Sequence, residues 1–495
     1  MSAPSVYNPS LAEVEAVAGQ GNLVPVYRSV PADLETPVSA YLKVAAAGGH
    51  SFLLESVEGG ENLGRYSFIG TEPYRVLRSG PGEPAGAVDP LVEIERELAR
   101  FNPIHLPGLP RFTGGAVGYL GYEVARYFER LPQAPRDALG VPEAIFLFVD
   151  TLLVFDHLQH EIKVVSHART DGDIAAAYKH ATWRIDDIVA RLAAPLGALP
   201  YEEPDAAEGG EVGSNVESEE YLARVGKARE HIIAGDIYQV QVSQRFSRET
   251  PVHPFAIYRA LRRVNPSPYM YYLDFGDMQI VGASPEMLVR VDNGNIESHP
   301  IAGTRRRGRD EADERRMEAE LREDEKERAE HLMLVDLQRN DLGRVCKAGS
   351  VSVTQLMEVE KYSHVMHLVS HVVGVLEEGV SSYDALRASF PAGTVTGAPK
   401  IRAMQIIADL EDDRRGPYAG CVGYFDFSGN VDTAITIRTL VIKDGVAHAQ
   451  AAGGVVYDSE PELEYMECQN KARATLRAIE EAEASARRAP GSLGY

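Results

Sequence analysis

Residues Tyr269 to Ile301 read YMYYLDFGDMQIVGASPEMLVRVDNGNIESHPI, and this stretch decides the class of the fold. Three runs rich in β-branched and aromatic residues, YMYYLDF, QIVGAS and MLVRV, follow one another across gaps too short to hold a helix. Asp292-Asn293-Gly294 then predicts a tight hairpin turn into NIESHPI, because Asn and Gly tolerate the left-handed backbone such turns require. Working outward, YQVQVSQRF precedes this block, and TLLVFD and EIKVVS flank a polar turn around His157 to His160. Later come VMHLVSHVVGV, GCVGYFDF, TAITIRTLVI and AHAQAAGGVV. Helical patterns fall in separate blocks: Ser218 to Ala234, Met317 to Arg344 as one long helix or a pair, and Glu460 to Arg487. Strands and helices cluster rather than alternate, so the class is α+β rather than doubly wound.

The chain has 495 residues, which corresponds to about three domains or two large ones. It carries 50 Lys+Arg against 73 Asp+Glu, a formal net charge of −23, with 44% apolar and 25% charged residues. That balance excludes global disorder, a collagen-like fibre and a disulfide scaffold, and disfavours nucleic acid or an anionic membrane as partner. Cys346, Cys421 and Cys468 lie far apart, without zinc-ligand spacing, as expected in a reducing compartment. The longest apolar stretch, Ala144 to Phe155, is interrupted by Asp150 and is too short to span a bilayer. Met1 to Glu15 lacks the basic-then-apolar pattern of a signal peptide, so a cytoplasmic location is expected. Leu192 to Ala223 contains no Lys or Arg, and Tyr201 to Glu220 holds eight carboxylates. Such a segment repels itself and buries little. It divides the chain into an N-terminal region (1–195), an acidic linker or loop (196–217) and a larger C-terminal region (218–495).

Two helices carry paired carboxylates. Glu327 and Glu330 are at i and i+3 and share a face. Glu464 and Glu467 repeat the spacing, with Lys471 on the same face one turn later. Two such helices meeting would offer oxygen donors to a hard cation such as Mg²⁺, which takes a few carboxylates, waters and the anionic groups of a substrate. Solvated faces of Glu-rich helices have the same spacing. Three small-residue segments read as turns that admit an anion: Phe390 to Lys400 with hydroxyls at Thr394 and Thr396, Ala451 to Val455, and Pro300 to Arg307. His364, His367 and His371 invite a metal reading. On a strand, however, His367 and His371 lie about 13 Å apart, too far for one ion. A single buried histidine acting on a proton suits the pattern better.

Taken together, PIAGTRRRG, AEHLMLVDLQRNDLGRV, YSHVMHLVS, FPAGTVTGAPKIRAMQII, GYFDFSGNVDTAITIRT and AAGGVVYDSEPELEYMECQNKARA resemble the chorismate-binding enzymes, and among them the large subunit of anthranilate synthase. The resemblance covers nearly the whole chain and is most specific from about Ser218 to Glu481. It implies a two-sheet core flanked by helices, with the site between the sheets. It further implies Mg²⁺ at Glu330 and Glu467, with Glu327 and Glu464 close behind, holding the ring carboxylate of chorismate. His367 matches the family's catalytic histidine, placed to protonate the leaving group, and Thr394 and Lys471 join it as catalytic candidates. Gly303, Thr304, Tyr418, Arg438, Gly453 and Gly454 match substrate contacts.

Two positions bear on the branch within this family. The aminodeoxychorismate branch has Lys where this chain has Ala302, and the isochorismate and salicylate branches have Lys where it has Gln239. Neither residue here is a nucleophile or a base, so the resemblance implies ammonia as the nucleophile and anthranilate and pyruvate as products. The alternatives are aminodeoxychorismate synthase component I and a non-catalytic anion-binding relative. No cysteine sits in a Gly-x-Cys-x-Gly elbow, so ammonia is expected from a separate glutamine amidotransferase subunit. Leu53-Leu54-Glu55-Ser56 and Asn265 to Met270 resemble the family's tryptophan-binding segments. Ser56, Pro268, Tyr269 and Met270 are therefore candidates for a feedback site that bridges the two regions.

Overall fold

The computed structural model describes residues 6–45, 48–56, 64–196, 209–362 and 365–487. Strands Tyr269–Asp274, Met278–Ser284, Met287–Asp292 and Asn295–Ser298 occupy the stretch that set the fold class. Asn293 and Gly294 adopt φ of 49° and 78°, and Asp292 pairs with Asn295 across them, as a two-residue hairpin turn requires. NIESHPI does not continue as one strand. Pro300 has no N–H to give a ladder, and Ile301–Arg306 is a separate strand paired with Val365–Val375.

All described strand pairs are antiparallel, and they form two sheets of twelve and ten strands. The first sheet begins with Leu23–Pro31, Glu161–Arg169, Thr151–Asp156, Tyr66–Thr71 and Ser51–Glu55. It continues through Tyr269–Asp274, Met278–Ser284, Thr439–Lys443, Val446–Val455, Gln239–Glu249 and Gly397–Ala398. The second centres on Val365–Val375, Asn295–Ser298, Met287–Asp292, Val431–Ile435, Cys421–Asp426 and Gly115–Leu120. Both sheets take strands from either side of the acidic stretch: Leu53 pairs with Tyr272 in one, and Tyr119 with Val422 in the other. Most of the expected linker, residues 197–208, lies outside the described residues.

The sheets face each other over an apolar layer that includes Phe52, Leu152, Val154 and Tyr271 from the first and Val117, Ile145, Leu147 and Val422 from the second. Helices cover the outer faces. Leu153 and Phe155 pack outward with Ile185 and Leu261, while Phe146 and Phe425 pack with Leu91 and Tyr383. Along TLLVFD alternate side chains thus enter different cores, and because both faces are buried the strand reads as a continuous apolar run. The fold is α+β, a two-sheet core flanked by helices.

The chain passes between the sheets at two places that matter for the site. Met278–Ser284 belongs to the first sheet and Met287–Asp292 to the second, so Pro285-Glu286 is a crossover. TAITIRTLVI, expected as one strand, is likewise broken: Val431–Ile435 lies in the second sheet, Thr439–Lys443 in the first, and Arg438 between them has φ 50°. The crossovers are stitched together, Ile435 N–H donating to Glu286 O (3.0 Å) and Ala283 N–H to Arg438 O (3.2 Å).

Two further expectations are corrected. Ala451 to Val455 is not a turn but the end of strand Val446–Val455, and Pro300 to Arg307 is mostly strand. Met317 to Arg344, expected as one long helix or a pair, falls on a pair, Glu311–Glu323 and Glu325–Gly343, divided at Asp324, whose carboxylate caps the second by accepting Glu327 N–H (3.1 Å). No helix among the described residues is long and apolar enough to cross a membrane.

Candidate active site

Strand alternation along Val365–Val375 sends Met366 and Leu368 into a cluster with Met317 and Leu321 and turns His367 to the other face. Its Nδ1 lies 2.9 Å from Gly303 O and 3.1 Å from Thr304 Oγ1. The ladder shifts register between Ala302 and Thr304, and Gly303 has φ 66°. This bulge aims the Gly303 carbonyl at the imidazole. The proton therefore belongs on Nδ1, leaving Nε2 as the acceptor. Burial pushes the imidazole down to about 4, and Arg438 adds to the effect, so it is neutral at pH 7. His371 is occupied elsewhere, stacked on His299 with centroids 3.8 Å apart. His364 lies outside the described residues.

Glu286, at the first crossover, did not emerge from sequence reasoning. Its carboxyl is buried and accepts a hydrogen bond from Thr394 Oγ1 (3.0 Å). Burial pushes it up to about 8, against the pull of Thr394, Arg438 and Lys471, so it holds its proton at pH 7. Arg438, at the second crossover, is half-buried, and burial lowers its affinity for its proton. The one signal in the sequence was a lone carboxylate between Pro285 and the apolar run MLVRV. Thr394 is placed by the short 3₁₀ turn Gly393–Val395 ahead of helix Lys400–Leu410.

The four glutamates line the same region in two pairs. Gln239 Nε2 donates to Glu330 Oε1 (2.9 Å), and Arg305 Nη1 to Glu327 Oε1 (3.1 Å). Ser459 Oγ donates to Glu464 Oε1 (2.7 Å), and Lys471 Nζ bridges Glu467 Oε1 (2.7 Å) and Ala452 O (3.0 Å). Glu327 and Glu464 are each pushed up, first by burial and further by the neighbouring carboxylate. Glu464 Oε2 is buried without a hydrogen-bond partner among the described residues. Gly453 makes room for it: a Cβ there would stand 3.1 Å from that oxygen and 2.9 Å from Tyr221 Oη. Gly454 lies against Gln239 and Gln241 in the same way, and Gly303 against Glu327 Oε2. Tyr418 is buried and lies beside the Arg415 guanidinium, 5.6 Å from its ring centroid. Among the described residues no three His, Cys, Asp or Glu side chains converge on one point. The glutamates thus stand as two pairs, each neutralised from its own side.

A cavity of about 530 Å³ lies between the sheets. Glu55, Ser56, Pro268, Tyr269 and Met270 all line it, brought together because Ser51–Glu55 and Tyr269–Asp274 are adjacent strands with Met270 opposite Glu55. Glu55 accepts from Tyr258 Oη and from Arg262 Nη2 (3.2 Å). The opposite wall was not foreseen: Arg290 Nε donates to Asp432 Oδ2 (2.8 Å), Tyr269 Oη to Asp432 Oδ1 (3.2 Å), and Phe112 stacks on Tyr424 at 4.3 Å.

The family model described as chorismate binding enzyme matches residues 49–477. Anthranilate synthase component 1 of Acetivibrio thermocellus is 48% identical over 493 residues, covering 96% of this chain and 99% of that protein. The protein of the same name from Aquifex aeolicus is 48% identical over 491 residues, covering 97% and 99%. The crystal structure of anthranilate synthase component I from Streptococcus pneumoniae superposes with TM-score 0.75 at 36% identity, covering 90% of this chain and 98% of that one. The menaquinone-specific isochorismate synthase of Escherichia coli shares the fold at 18% identity and TM-score 0.70.

Proposed function

The chain belongs to the chorismate binding enzymes, and on that premise we propose that it converts chorismate and ammonia to anthranilate, pyruvate and water, the reaction named for its relatives. The observation that carries this choice of reaction is Gln239. An amide cannot act as the base that would activate water, and this one is already bonded to Glu330. Ala302 likewise offers no amine. The nucleophile must then come from outside the chain.

The protonation states divide the work. Glu286 arrives protonated and gives its proton to the departing ring hydroxyl. His367, neutral with Nε2 bare, suits a base better than the acid expected from the resemblance. It takes up a proton released as ammonia adds or as the ring becomes aromatic. Two titratable groups pushed in opposite directions in one site are the pattern of an acid and base pair. Arg438 and Lys471 bind the carboxylates of the substrate, and Gly303, Gly453 and Gly454 let backbone approach it.

Mg²⁺ fits the glutamates: the donors are all oxygen, Glu327 and Glu464 are each pushed up by burial and by the carboxylate beside them, and Glu464 Oε2 lacks a partner among the described residues. Glu330 and Glu467 would hold it, backed by Glu327 and Glu464. When bound it would supply positive charge opposite the ring carboxylate and ease departure of the hydroxyl.

In the cell a separate glutamine amidotransferase subunit supplies the ammonia, and tryptophan binds the 530 Å³ cavity as an inhibitor. Glu55 and Ser56 provide acceptors for its ammonium group, and Pro268, Tyr269 and Met270 border an apolar slot for indole. Mixing the chain with chorismate, Mg²⁺ and ammonium and following anthranilate fluorescence tests the reaction. Isochorismate or aminodeoxychorismate as the product would overturn it.

A further inference from the structure

Arg415 follows helix Lys400–Leu410 and is 1% exposed, among the largest fully buried side chains of the protein. Its Nε and Nη2 grip both oxygens of Glu411 (2.8 and 2.7 Å). Nη1 donates to Val395 O (2.8 Å) and Nη2 also to Gln241 O (2.7 Å). The guanidinium lies 4.8 Å from the Tyr122 ring centroid and 5.6 Å from that of Tyr418. Glu411 is held in turn by Ser243 N–H (2.7 Å).

Three of these partners, Val395, Gln241 and Tyr418, belong to or adjoin the candidate active site. Val395 follows Thr394, which bonds Glu286. Gln241 is two residues along its strand from Gln239, on the same face, and Gln239 bonds Glu330. Tyr418 is itself a candidate substrate contact. A buried ion pair is a poor source of stability, since desolvation offsets most of the attraction and apolar replacements of equal volume are often neutral or better. Its value lies in fixing geometry, and the planar fork of Arg suits it to tying several acceptors at once.

We infer that the Glu411–Arg415 pair is the positioning element of the active site, fixing the 393–396 turn, strand Gln239–Glu249 and Tyr418 relative to one another so that Thr394 stays on Glu286. This rests on the reaction proposed above. Arg415 touches none of the reacting groups and acts through Val395. Loosening that contact withdraws Thr394, and Glu286 loses a hydrogen bond that holds its carboxyl down, leaving Arg438 and Lys471 as the charged groups facing it.

The test compares Arg415→Lys, Glu411→Gln and Thr394→Val with wild type. The readouts are kcat/KM for chorismate with saturating ammonium from pH 6 to 9.5, and thermal stability. Taking variant-to-wild-type ratios cancels the titration of ammonia itself. Arg415→Lys and Glu411→Gln should lower kcat/KM at pH 7 about tenfold, the scale of one lost positioning contact. All three should carry the alkaline limb upward by about half a pH unit or more, in the same direction, because each removes or loosens the same hydrogen bond. A merely structural role would lower stability and the active fraction while the limb stayed put, and that result overturns the inference. Glu411→Gln keeps an acceptor for Ser243 and most of the side-chain volume, so the inference stays open to refutation if Arg415→Lys fails to fold. Lack of anthranilate from the wild type would instead defeat the proposed reaction.

Discussion

Replacing Glu286 with Gln keeps the shape and an oxygen for the Thr394 hydroxyl, but it removes the proton. In wild type, burial moves this carboxyl from 4.5 up to about 8. At pH 7 that raises the protonated fraction from roughly 0.3% to about 90%, a gain of about 300-fold in the competent form. A positioned general acid contributes about 10²- to 10⁴-fold to a rate. The expected result for Glu286→Gln is a fall of that size in kcat/KM at pH 7, with chorismate still bound. The deficit should narrow above pH 8, where wild type loses its own proton.

Stability supplies an independent sign. The folded carboxyl binds its proton more tightly than the unfolded one, so its contribution is fully favourable below about 4.5 and is lost as pH rises through about 8. Keeping this group buried at pH 7 costs wild type up to about 3 kcal/mol. Gln carries no such cost. The variant should therefore melt higher than wild type at pH 8.5, with the margin shrinking towards pH 5. Anthranilate fluorescence gives the rates and calorimetry at the two pH values gives the stabilities. A variant within threefold of wild-type activity would refute the assignment of the acid, and a lower melting temperature at both pH values would show that the substitution damaged the fold.

Glu467→Gln should leave the C-terminal helix Pro461–Ala486 intact, since Gln is a good helix former. It should cut activity by orders of magnitude and raise the Mg²⁺ concentration needed, as read by a metal titration; near-normal rates at ordinary Mg²⁺ would dismiss the metal assignment. The isolated chain should use ammonium but not glutamine, because Cys346, Cys421 and Cys468 are all buried and none sits in a nucleophile elbow; anthranilate made from glutamine by the pure chain would contradict this. Ser56→Phe and Met270→Thr should leave activity largely intact while raising the tryptophan concentration needed for inhibition. Wild type indifferent to millimolar tryptophan, or variants inhibited like wild type, would remove tryptophan from the cavity.

The parts of this fold that were legible in the sequence are those set by local rules. Asn293-Gly294 needs left-handed backbone and obtains it, and the alternation around His367 follows from strand geometry. The misread segments are those where a small or cyclic residue sits inside a ladder. Ala451 to Val455 looked like a turn because glycine usually marks one. Gly453 and Gly454 are instead strand residues kept small by what approaches them, the first turn of the C-terminal helix and the amides of Gln239 and Gln241. Nothing local reveals that approach, since the partners come from distant segments.

The crossovers were hidden for a related reason. TAITIRTLVI is rich in β-branched residues on both sides of Arg438 and holds no Gly or Pro, so it shows no seam where the chain leaves one sheet for the other. Such seams are nonetheless where the candidate acid Glu286 and the candidate substrate contact Arg438 collect. At each crossover the backbone leaves the ladder, and the two crossovers bring Glu286 and Arg438 close enough to act on one another. Arg438 was named through the family resemblance and Glu286 was not, although both occupy the same structural position and their crossovers exchange backbone hydrogen bonds with neighbouring strands. The cavity repeats the pattern. Glu55 and Met270 were paired by resemblance, but Arg290 and Asp432 come from the strands that flank the crossovers, Met287–Asp292 and Val431–Ile435. One pair of strands therefore carries cavity residues on its length and candidate active-site residues beyond its ends. A ligand that shifts Arg290 against Asp432 acts on the element that sets Glu286 against Arg438, and differential binding to two arrangements of that element is what inhibition from the cavity requires.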